Sequence, residues 1–568
     1  MQFIKSFIKL FFFISPFFAT AQSTYLPQGD KGYQFIDRLE IKHQVNTGIN
    51  FSTLKPFNRR YIVQQTEYLD SLHKANLSST TGSLHPKLTA VDEYNMNRFF
   101  MNNTEWVTQP KESFVSKKAI LKTFYTTQPN LLEVNKKDFF LAFNPILQLH
   151  GGKERGNDET IYLNTRGISA RGMIGKKIGF FTSITDNQER GPKFFHQKVN
   201  DFKAVPGVGF YKSFKGTGVD YFDARGYITF NAAKFVDIQF GFDKNFIGNG
   251  YRSLFLSDWS NSYLFAKLNT RIWKFNYQNL FIELQPQFSR TGDTLLDKKY
   301  AAMHHLSINV TKWLNIGLFE GIVFGRKNHF EFQYLNPIIF YRHVEGTIGS
   351  PDNAMAGLDF KANIAHHFQL YGQFLLDEFK LDQVRANTGW WANKWGLQLG
   401  AKYIDAFGIS NLDLQFESNR VRPFTYSHYN SVANYTHYNQ PLAHPLGANF
   451  QEFVGILRYQ PAPKWYINGK IIYYTQGLDS LNGRNFGSNP FRDNNSRRGD
   501  YGYDLAGGRK ATCFNGTVQL SYELRENLYF DLTAQQRNYK VANVAAQNNT
   551  TLLTAGIRLN IMKREYDF

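Results

Sequence analysis

Aromatic and basic side chains are concentrated in three polar stretches of the sequence. These candidate binding residues are Trp390, Trp391, Arg420, Arg422, Arg497, Arg498, Tyr501, Tyr503 and Arg509. Aromatic rings stack on the apolar faces of sugars, and the arginine fork binds a carboxylate or phosphate through two parallel hydrogen bonds. The combination predicts binding of an acidic glycan. The alternative is that the same residues form the aromatic girdle of a membrane interface and contact lipopolysaccharide phosphates.

Motifs for catalysis are missing from the sequence. It contains neither Gly-x-Ser-x-Gly nor His-Glu-x-x-His, and it has no repeated spacing of metal ligands. The pairs His304-His305 and His366-His367 are adjacent, so on a strand their side chains point to opposite faces and chelate a metal poorly. The sequence therefore predicts a protein that is not an enzyme and has neither a metal ion nor a cofactor.

A glycine-containing loop is the second candidate site. It comprises Gly248, Asn249 and Gly250, followed by Arg252 and Asp258. The glycines allow close backbone approach, but no Gly-Lys-Ser/Thr follows, so this is not a phosphate-binding loop. Two interpretations stay open: the loop folds into the mouth of a barrel, or it contacts a ligand directly. Asp243, Arg252 and Asp258 could pair with one another to hold it.

The elements that position these residues are strands. From residue 139 onward, apolar residues recur at every second position in about 18 segments. In one of them Leu358 and Phe360 alternate with Asp359 and Lys361. One face of each strand is therefore apolar and the other polar, as in the wall of a membrane barrel.

Two segments depart from strict alternation. Residues 272–285 change phase between Tyr277 and Leu280, which predicts a β-bulge. In the last predicted strand, residues 551–562, the apolar face is regular, but the terminal Phe568 falls out of phase with it.

Short and long connections alternate along the predicted strands. Transmembrane barrels have this pattern, with short periplasmic turns and long outer loops. Aromatic residues make up 17% of the chain, including 54 Phe and 32 Tyr, which fits aromatic girdles at both membrane interfaces. We therefore predict an all-β fold, a transmembrane antiparallel β-barrel of about 18 strands over residues 138–568, rather than a soluble two-sheet protein.

The sequence before the barrel divides into two parts. Residues 1–21 are a predicted signal peptide for the Sec pathway, because two lysines precede an apolar run and small residues follow at a cleavage site. Residues 22–137 are a predicted, mainly helical periplasmic module, with helices within 59–74 and 89–106 and a short strand near 35–41. This module is either a structural plug or a surface for periplasmic protein partners.

Charge and cysteine content restrict the partners. The formal net charge of +19 suits an anionic partner, and export makes an acidic polysaccharide or lipopolysaccharide a better candidate than nucleic acid. Cys513 is the only cysteine, so no intramolecular disulfide can form.

Several segments of the chain resemble a known family. They are GFDKNFIGNGYRSLFLSD (residues 241–258), EFQYLNPIIFYR (331–342), GSPDNAMAGLDFK (349–361), LYGQFLLDEF (370–379) and RGDYGY (498–503). On these segments the sequence resembles the Wzi-like capsule-assembly family of outer-membrane proteins, and within it the branch from gliding Bacteroidetes known as the gliding motility protein RemB. The chain departs from the capsule branch at Phe246 and Asn249, where that branch tends to carry tryptophan and proline.

The resemblance implies a fold and a function. It implies an 18-stranded outer-membrane barrel with a periplasmic helical portion, which binds or anchors surface polysaccharide and supports cell-surface organisation, including gliding motility. A barrel of 18 strands is also wide enough to leave a water-filled pore. The alternative function is therefore an outer-membrane diffusion channel, a porin.

Overall fold

The structure is a computed structural model that describes residues 23–44, 51–78, 86–116, 119–288, 294–326, 329–480, 482–544 and 548–568. The predicted signal peptide, residues 1–21, lies outside these ranges. Within them, no helix is both long enough and apolar enough to cross a membrane.

Three helices form the N-terminal module: α1 (Lys31–Lys42), α2 (Arg59–Ser78) and α3 (Ala90–Met101). Asp30 caps α1 by accepting a hydrogen bond from the N–H of Gly32, and Thr89 caps α3 in a capping box. The predicted strand near 35–41 is wrong, because this segment is helical. Phe35 and Leu39 lie one helical turn apart and pack into the apolar core shared by the three helices.

Eighteen antiparallel strands form the closed barrel, which confirms the predicted fold. They are β1 (Phe139–Glu154), β2 (Ile161–Ile174), β3 (Ile178–Arg190), β4 (Gly218–Ala233), β5 (Val236–Asp243), β6 (Tyr263–Ile272), β7 (Phe275–Leu284), β8 (Lys299–Asn309), β9 (Leu314–Phe324), β10 (Asn353–Ile364), β11 (Phe368–Glu378), β12 (Lys394–Tyr403), β13 (Leu412–Val421), β14 (Phe450–Ala462), β15 (Trp465–Leu478), β16 (Arg509–Arg525), β17 (Leu528–Val541) and β18 (Asn548–Leu559).

Each strand pairs with the next in sequence, and β18 closes the barrel on β1 through a register that runs from Leu552 opposite Glu154 to Leu559 opposite Leu147. Short strands pair outside this order. Leu54–Lys55 pairs with Phe246–Ile247, Leu132–Lys136 with β1, Lys212–Phe214 with β4, and Thr436–His437 with Gln440–Pro441.

The connections contain further helices. They are α4 (Lys193–Phe202), α5 (Tyr341–Thr347) and α6 (Leu381–Ala386), with 3-10 turns at Glu112–Phe114, Phe332–Leu335, Ala406–Gly408, Ser431–Ala433 and Asn494–Ser496. Most connections at the end of the barrel nearest the N-terminal module are tight, and most at the opposite end are long. The exception is residues 404–411, between β12 and β13, which form a longer connection than residues 155–160 or 542–547 at the opposite end. Apart from this connection, the pattern is the predicted alternation, and it assigns the long loops to the outer face.

The barrel wall separates an apolar exterior from a polar lumen. On β10, Leu358 is exposed on the outer face, whereas Asp359, Lys361 and Asn363 are fully buried inside. The lumen is filled from several directions, by the N-terminal module, by loops that fold inward and by residues 560–568, which turn back inside after β18.

The predicted bulge in the strand at 272–285 is wrong. The pairing of β7 with both neighbours runs without a register shift, and Leu280, Ile282 and Leu284 point into the lumen. They are buried there in an apolar core with Leu254 and other residues of the inward-folded loops. The change of phase in the sequence therefore marks an apolar lining of the lumen.

Candidate functional site

Three outer loops form an aromatic and basic cluster at the mouth of the barrel. The guanidinium of Arg497 lies 3.8 Å from the centre of the Trp391 ring, and the Trp390 ring lies 6.2 Å from that of Trp391. Phe424 contacts Trp391 edge-on at 6.0 Å and Tyr503 at 4.9 Å. We call Trp390, Trp391, Phe424, Arg497 and Tyr503 the mouth cluster.

Backbone hydrogen bonds join the loops of the mouth cluster. The N–H of Trp391 donates to the carbonyl of Asp500 at 2.9 Å, and the N–H of Tyr503 donates to the carbonyl of Gly389 at 2.9 Å. Arg497 pairs with the Asp500 carboxylate at 2.9 Å, which holds the guanidinium above the Trp391 ring. The loop after β11 and the loop after β15 therefore form one unit.

Part of this unit is exposed. Tyr501 and Arg498 are exposed, and the guanidinium of Arg498 has no ion pair or hydrogen bond to any described residue. Trp390 is half-buried and precedes Trp391, whose N–H bonds the same loop at Asp500. Tyr503 is buried, and its hydroxyl donates to the carbonyl of Arg498 at 3.1 Å. The exposed face thus combines an aromatic ring with an unpaired cation, supported by buried aromatic residues.

The structure separates the other predicted arginines from this face. Arg422 lies under the cluster, where its Nε donates to the carbonyl of Asn393 at 3.1 Å; burial lowers its pKa, and Asp504 partly offsets that effect. Arg420 lies on the outer face of β13, in line with Phe416, and points away from the mouth. Arg509 begins β16 on its inner face, and its Nε is buried without a hydrogen bond within the described residues.

Sequence reasoning missed three members of the outer site. Phe424 and Phe486 pack against Tyr503, and the guanidinium of Arg484 lies 4.8 Å from the Phe486 ring. Their only sequence signal was their position in the same polar stretches as the predicted residues, because ring packing between loops leaves no spacing pattern.

The glycine-containing loop folds into the lumen. The N–H of Gly248 donates to the carbonyl of Thr53 at 2.9 Å, and the Lys55 ammonium donates to the carbonyl of Gly248 at 2.6 Å. Asn249 donates to the hydroxyl of Thr53 at 3.1 Å. Burial lowers the pKa of Lys55 to about 8. The structure therefore places this loop inside the barrel.

A carboxylate from the opposite wall clamps this loop. Glu417 of β13 accepts the N–H of Tyr251 at 2.7 Å and the N–H of Arg252 at 3.1 Å. A Cβ at Gly250 would lie 2.3 Å from Glu417 Oε2, far closer than van der Waals contact. Glycine is therefore required at Gly250 because the clamp occupies the space of a side chain.

The proposed pairing among Asp243, Arg252 and Asp258 is wrong. Arg252 donates to the backbone carbonyl of Asp567 at 2.7 Å and lies 3.7 Å from the Glu452 carboxylate. Asp258 is exposed. The partners of Arg252 come from residues distant in the sequence, which spacing within the loop could not indicate.

The C-terminal segment, residues 560–568, lies in the lumen against the glycine-containing loop, through Arg252 and Asp567. Tyr566 donates to Glu189 at 2.7 Å, and the Phe568 ring packs edge-on against Phe194 of α4 at 5.7 Å. Phe568 thus lies inside the lumen and not on the lipid-facing wall. A cavity of about 50 Å³ lies between this segment and the wall, lined in part by Lys470 and Lys563. Burial lowers the pKa of Lys563 to about 8.

Buried ion pairs fix the N-terminal module to the periplasmic end of the barrel. Arg38 of α1 donates to Asp92 of α3 and to Asp405 in the turn after β12, both at 2.9 Å. Lys402 pairs with Asp37 at 2.7 Å. Burial alone would raise the pKa of Asp92, but Arg38 and the neighbouring Lys42 hold it well below its usual value.

The histidines do not form a metal site in the described part of the chain. His305 faces the lumen, where its Nε2 lies 2.6 Å from Asp359, whereas His304 lies on the outer face of β8. Among the described residues, no group of three or more His, Cys, Asp or Glu side chains could hold a metal ion.

The sequence profile of the family described as capsule assembly protein Wzi matches residues 215–553, more than half of the chain. The chain belongs to the Wzi capsule assembly family. Its matched region extends from the start of β4 into β18 and includes the clamped loop and the mouth cluster. Among curated proteins, none matches the chain significantly.

This Wzi-family barrel is similar to several solved structures, one of them with a TM-score above 0.5. One is described as Wzi, an outer-membrane protein involved in group 1 capsule assembly in Escherichia coli and a carbohydrate-binding β-barrel; it is 12% identical, with a TM-score of 0.53, over 96% of this chain and 99% of that one. OprD of Pseudomonas aeruginosa is 10% identical over 74% and 96% of the two chains, with a TM-score of 0.41. OccAB4 of Acinetobacter baumannii is 11% identical over 75% and 98%, also at 0.41. The chain is an outer-membrane β-barrel.

Proposed function

We propose that this barrel is a non-enzymatic protein that binds an acidic surface polysaccharide at its outer mouth and anchors it to the outer membrane. The observation that carries the proposal is the mouth cluster, whose loops also carry the exposed Tyr501 and Arg498, and the guanidinium of Arg498 is unpaired among the described residues. An aromatic ring offers a flat surface for a sugar, and a free guanidinium offers two donors to a uronate or phosphate.

The pre-formed shape of the site supports binding. Arg497 and Asp500 fix the Trp391 ring from one side, and Phe424 packs against it from another. A ligand that meets a rigid aromatic surface loses little further conformational entropy from the protein. The family membership and the description of the Escherichia coli structure as a carbohydrate-binding barrel agree with this proposal.

A panel of purified polysaccharides tests it. The detergent-purified barrel is titrated with uronate-containing and phosphorylated polysaccharides, with neutral dextran as the control. We expect binding to the acidic polymers that weakens as salt is added. Trp390→Ala should weaken binding by about tenfold or more, whereas Arg420→Ala, on the outer wall, should leave it unchanged. Equal binding of dextran, or equal effects of the two variants, would contradict the proposal.

The same assay separates polysaccharide from lipopolysaccharide. If the arginines serve the membrane interface, lipopolysaccharide should compete and Arg420→Ala should weaken binding, because Arg420 is the predicted arginine on the outer wall. If the mouth cluster binds polysaccharide, only changes such as Arg498→Ala should weaken it.

The cellular role that we propose follows from anchoring. A barrel that holds surface polysaccharide supports cell-surface organisation, and the resemblance to RemB extends the proposal to gliding motility, with export through the Sec pathway. Deletion of the gene should then reduce capsule retention and colony spreading, and both should return with the wild-type gene but not with Trp390→Ala. Unchanged spreading would remove gliding from the proposal.

The N-terminal module also offers a surface for periplasmic protein partners. Its helix α2 carries exposed side chains, including Tyr68, which is 53% exposed. Cross-linking from a photoreactive residue at Tyr68 in intact cells tests this role. An absence of cross-linked protein would leave the module with its structural role alone.

A diffusion channel is the alternative function, and the filled lumen argues against it. The lumen contains the glycine-containing loop clamped by Glu417, the N-terminal module and residues 560–568, which are hydrogen-bonded to one another or to the wall. In planar bilayers we expect no large steady conductance from the wild-type protein. Steady open steps would favour the porin.

A further inference from the structure

The loop between β9 and β10 folds over the outside of the barrel. Side chains alternate along β8, and Met303 and His305 face the lumen, where they contact Tyr435 and Asp359. Tyr300, Ala302 and His304 must therefore face outward. They are nevertheless buried, which means that another part of the chain covers the outer wall at this place.

The cover is formed by residues 329–348, which we call the flap. Its underside is aromatic. Phe330 packs edge-on against Tyr300 at 5.4 Å and against Phe324 at 5.1 Å, and Tyr341 packs on the His304 ring at 3.9 Å. The flap and the outer faces of β8 and β9 thus share one apolar core, separate from the core inside the lumen.

A carboxylate on the outer wall attaches the flap. Glu320 lies on the outward face of β9, in register with His304 of β8. Its two oxygens accept the N–H groups of Tyr341 and Arg342, both at 2.9 Å. Ionisable groups on a lipid-facing wall are costly unless they are covered and hydrogen-bonded. The flap meets both requirements for Glu320.

The depth of Glu320 places the flap within the membrane. Trp313, exposed in the turn before β9, marks the periplasmic interface. Seven residues of a strand tilted by about 40° rise roughly 18 Å, which is within an apolar band of about 25 Å. The flap therefore lies in the half of the membrane that faces the outside of the cell.

The outer surface of the flap is apolar. Phe332, Ile338 and Phe340 are 79%, 83% and 77% exposed. They continue the exposed apolar side chains of the neighbouring wall, such as Leu318 and Leu358. A water-facing loop rarely exposes such a patch, whereas a lipid-facing surface requires it.

We propose that the flap is inserted into the outer leaflet and that its partner is the acyl chains of outer-leaflet lipids. The wall under the flap carries the carboxylate of Glu320 and the imidazole of His304. The flap covers these two polar groups, so that its own apolar side chains face the lipid there instead. The barrel thereby gains a lipid-contacting element that projects sideways from one sector of its wall, over β8, β9 and β10.

Single-cysteine labelling tests the flap directly. Cys513 is buried and is the only native cysteine, so Ile338→Cys can be prepared in a Cys513→Ser background and labelled with an environment-sensitive fluorophore. The control is Tyr501→Cys, in an exposed outer loop. Both purified proteins are reconstituted into vesicles that contain lipids with brominated acyl chains.

We expect bromine to remove most of the fluorescence at Ile338→Cys and aqueous iodide to leave it intact, with the opposite result at Tyr501→Cys. Phe332→Cys supplies an independent reading at a second flap position. Iodide quenching at both flap positions, without bromine quenching, would overturn the proposal, because it would place the flap in water when the protein is alone in a bilayer. Heat-modifiable migration on gels establishes that each variant is folded.

Discussion

Replacement of Gly250 by alanine should release the clamped loop from the barrel wall. The added Cβ would lie 2.3 Å from Glu417 Oε2, and two further oxygen atoms lie at 2.9 Å. The carboxylate must then move, although it accepts hydrogen bonds from the N–H groups of Tyr251 and Arg252 and from the hydroxyl of Tyr371. Hydrogen bonds to a charged group contribute about 1.5–3 kcal/mol each, so the loss of two costs roughly 3–6 kcal/mol.

This cost should appear as an opening of the lumen. A local destabilisation of roughly 3–6 kcal/mol raises the population of the displaced loop by about a hundredfold or more. Planar-bilayer recording should then show intermittent conductance in Gly250→Ala that is absent from the wild type, and limited proteolysis should cut the loop sooner. Because the barrel strands are unchanged, gel migration of the folded form should stay the same.

Gly455→Ala is the matched control. Gly455 lies in strand β14 of the barrel wall, and a Cβ there would meet no atom within 4 Å. It should behave as the wild type does. If Gly250→Ala is as silent and as protease-resistant as Gly455→Ala, then the Glu417 clamp does not hold the loop, and the argument from close packing is refuted.

Three further changes test other parts of the molecule. The module should begin to detach from the barrel as the pH falls below about 4, because Arg38 and Lys42 outweigh burial and depress the pKa of Asp405, so its charge stabilises the docked state above the unfolded pKa and this contribution is lost on protonation. Protease cleavage of α3 across the pH range measures it, and Asp405→Asn should reduce the dependence. Arg38→Ala should weaken docking of the N-terminal module to the barrel by about 3–5 kcal/mol, because it leaves buried carboxylates unpaired. The module should then be cleaved faster by protease at pH 7, and an unchanged cleavage rate would contradict the prediction. Glu320→Leu should release the start of α5, so a fluorophore at Ile338→Cys should lose part of its protection from iodide, and full protection would show that apolar packing alone holds the flap.

The barrel could be predicted from the sequence because its rule is local. A strand between lipid and a polar lumen must alternate, so Leu358 and Phe360 against Asp359 and Lys361 were enough to identify both a strand and its orientation. The alternation of tight turns and long loops then gave the order of the strands and the side of the membrane on which each loop lies. All of this follows from residues close together in the chain.

The contents of the lumen could not be predicted in the same way. Leu280 and Ile282 face inward because a folded-in loop supplies an apolar partner, and the sequence of β7 alone does not contain that loop. The partners of Arg252 likewise come from Glu452 and Asp567. Where a contact depends on segments hundreds of residues apart, composition and spacing carry no information about it.

Two positions could be predicted from the local sequence. The outward position of Arg420 follows from the alternation of its own strand, since it shares a face with Phe416. The helix at Lys31–Lys42 has an N-cap signal in Asp30 and apolar residues one turn apart in Phe35 and Leu39. In both cases the local sequence contains the information: alternation of inward and outward residues in β13, and an N-cap followed by apolar residues one turn apart in α1.

The clamped loop connects segments that are synthesised at very different times. Gly248 is hydrogen-bonded to Thr53, and Arg252 is hydrogen-bonded to Asp567. The interior can therefore reach its final arrangement only after the early and late parts of the polypeptide have met. Maturation of the protein should end with this step, so an intermediate with a complete cylinder and a leaky interior should precede the sealed form.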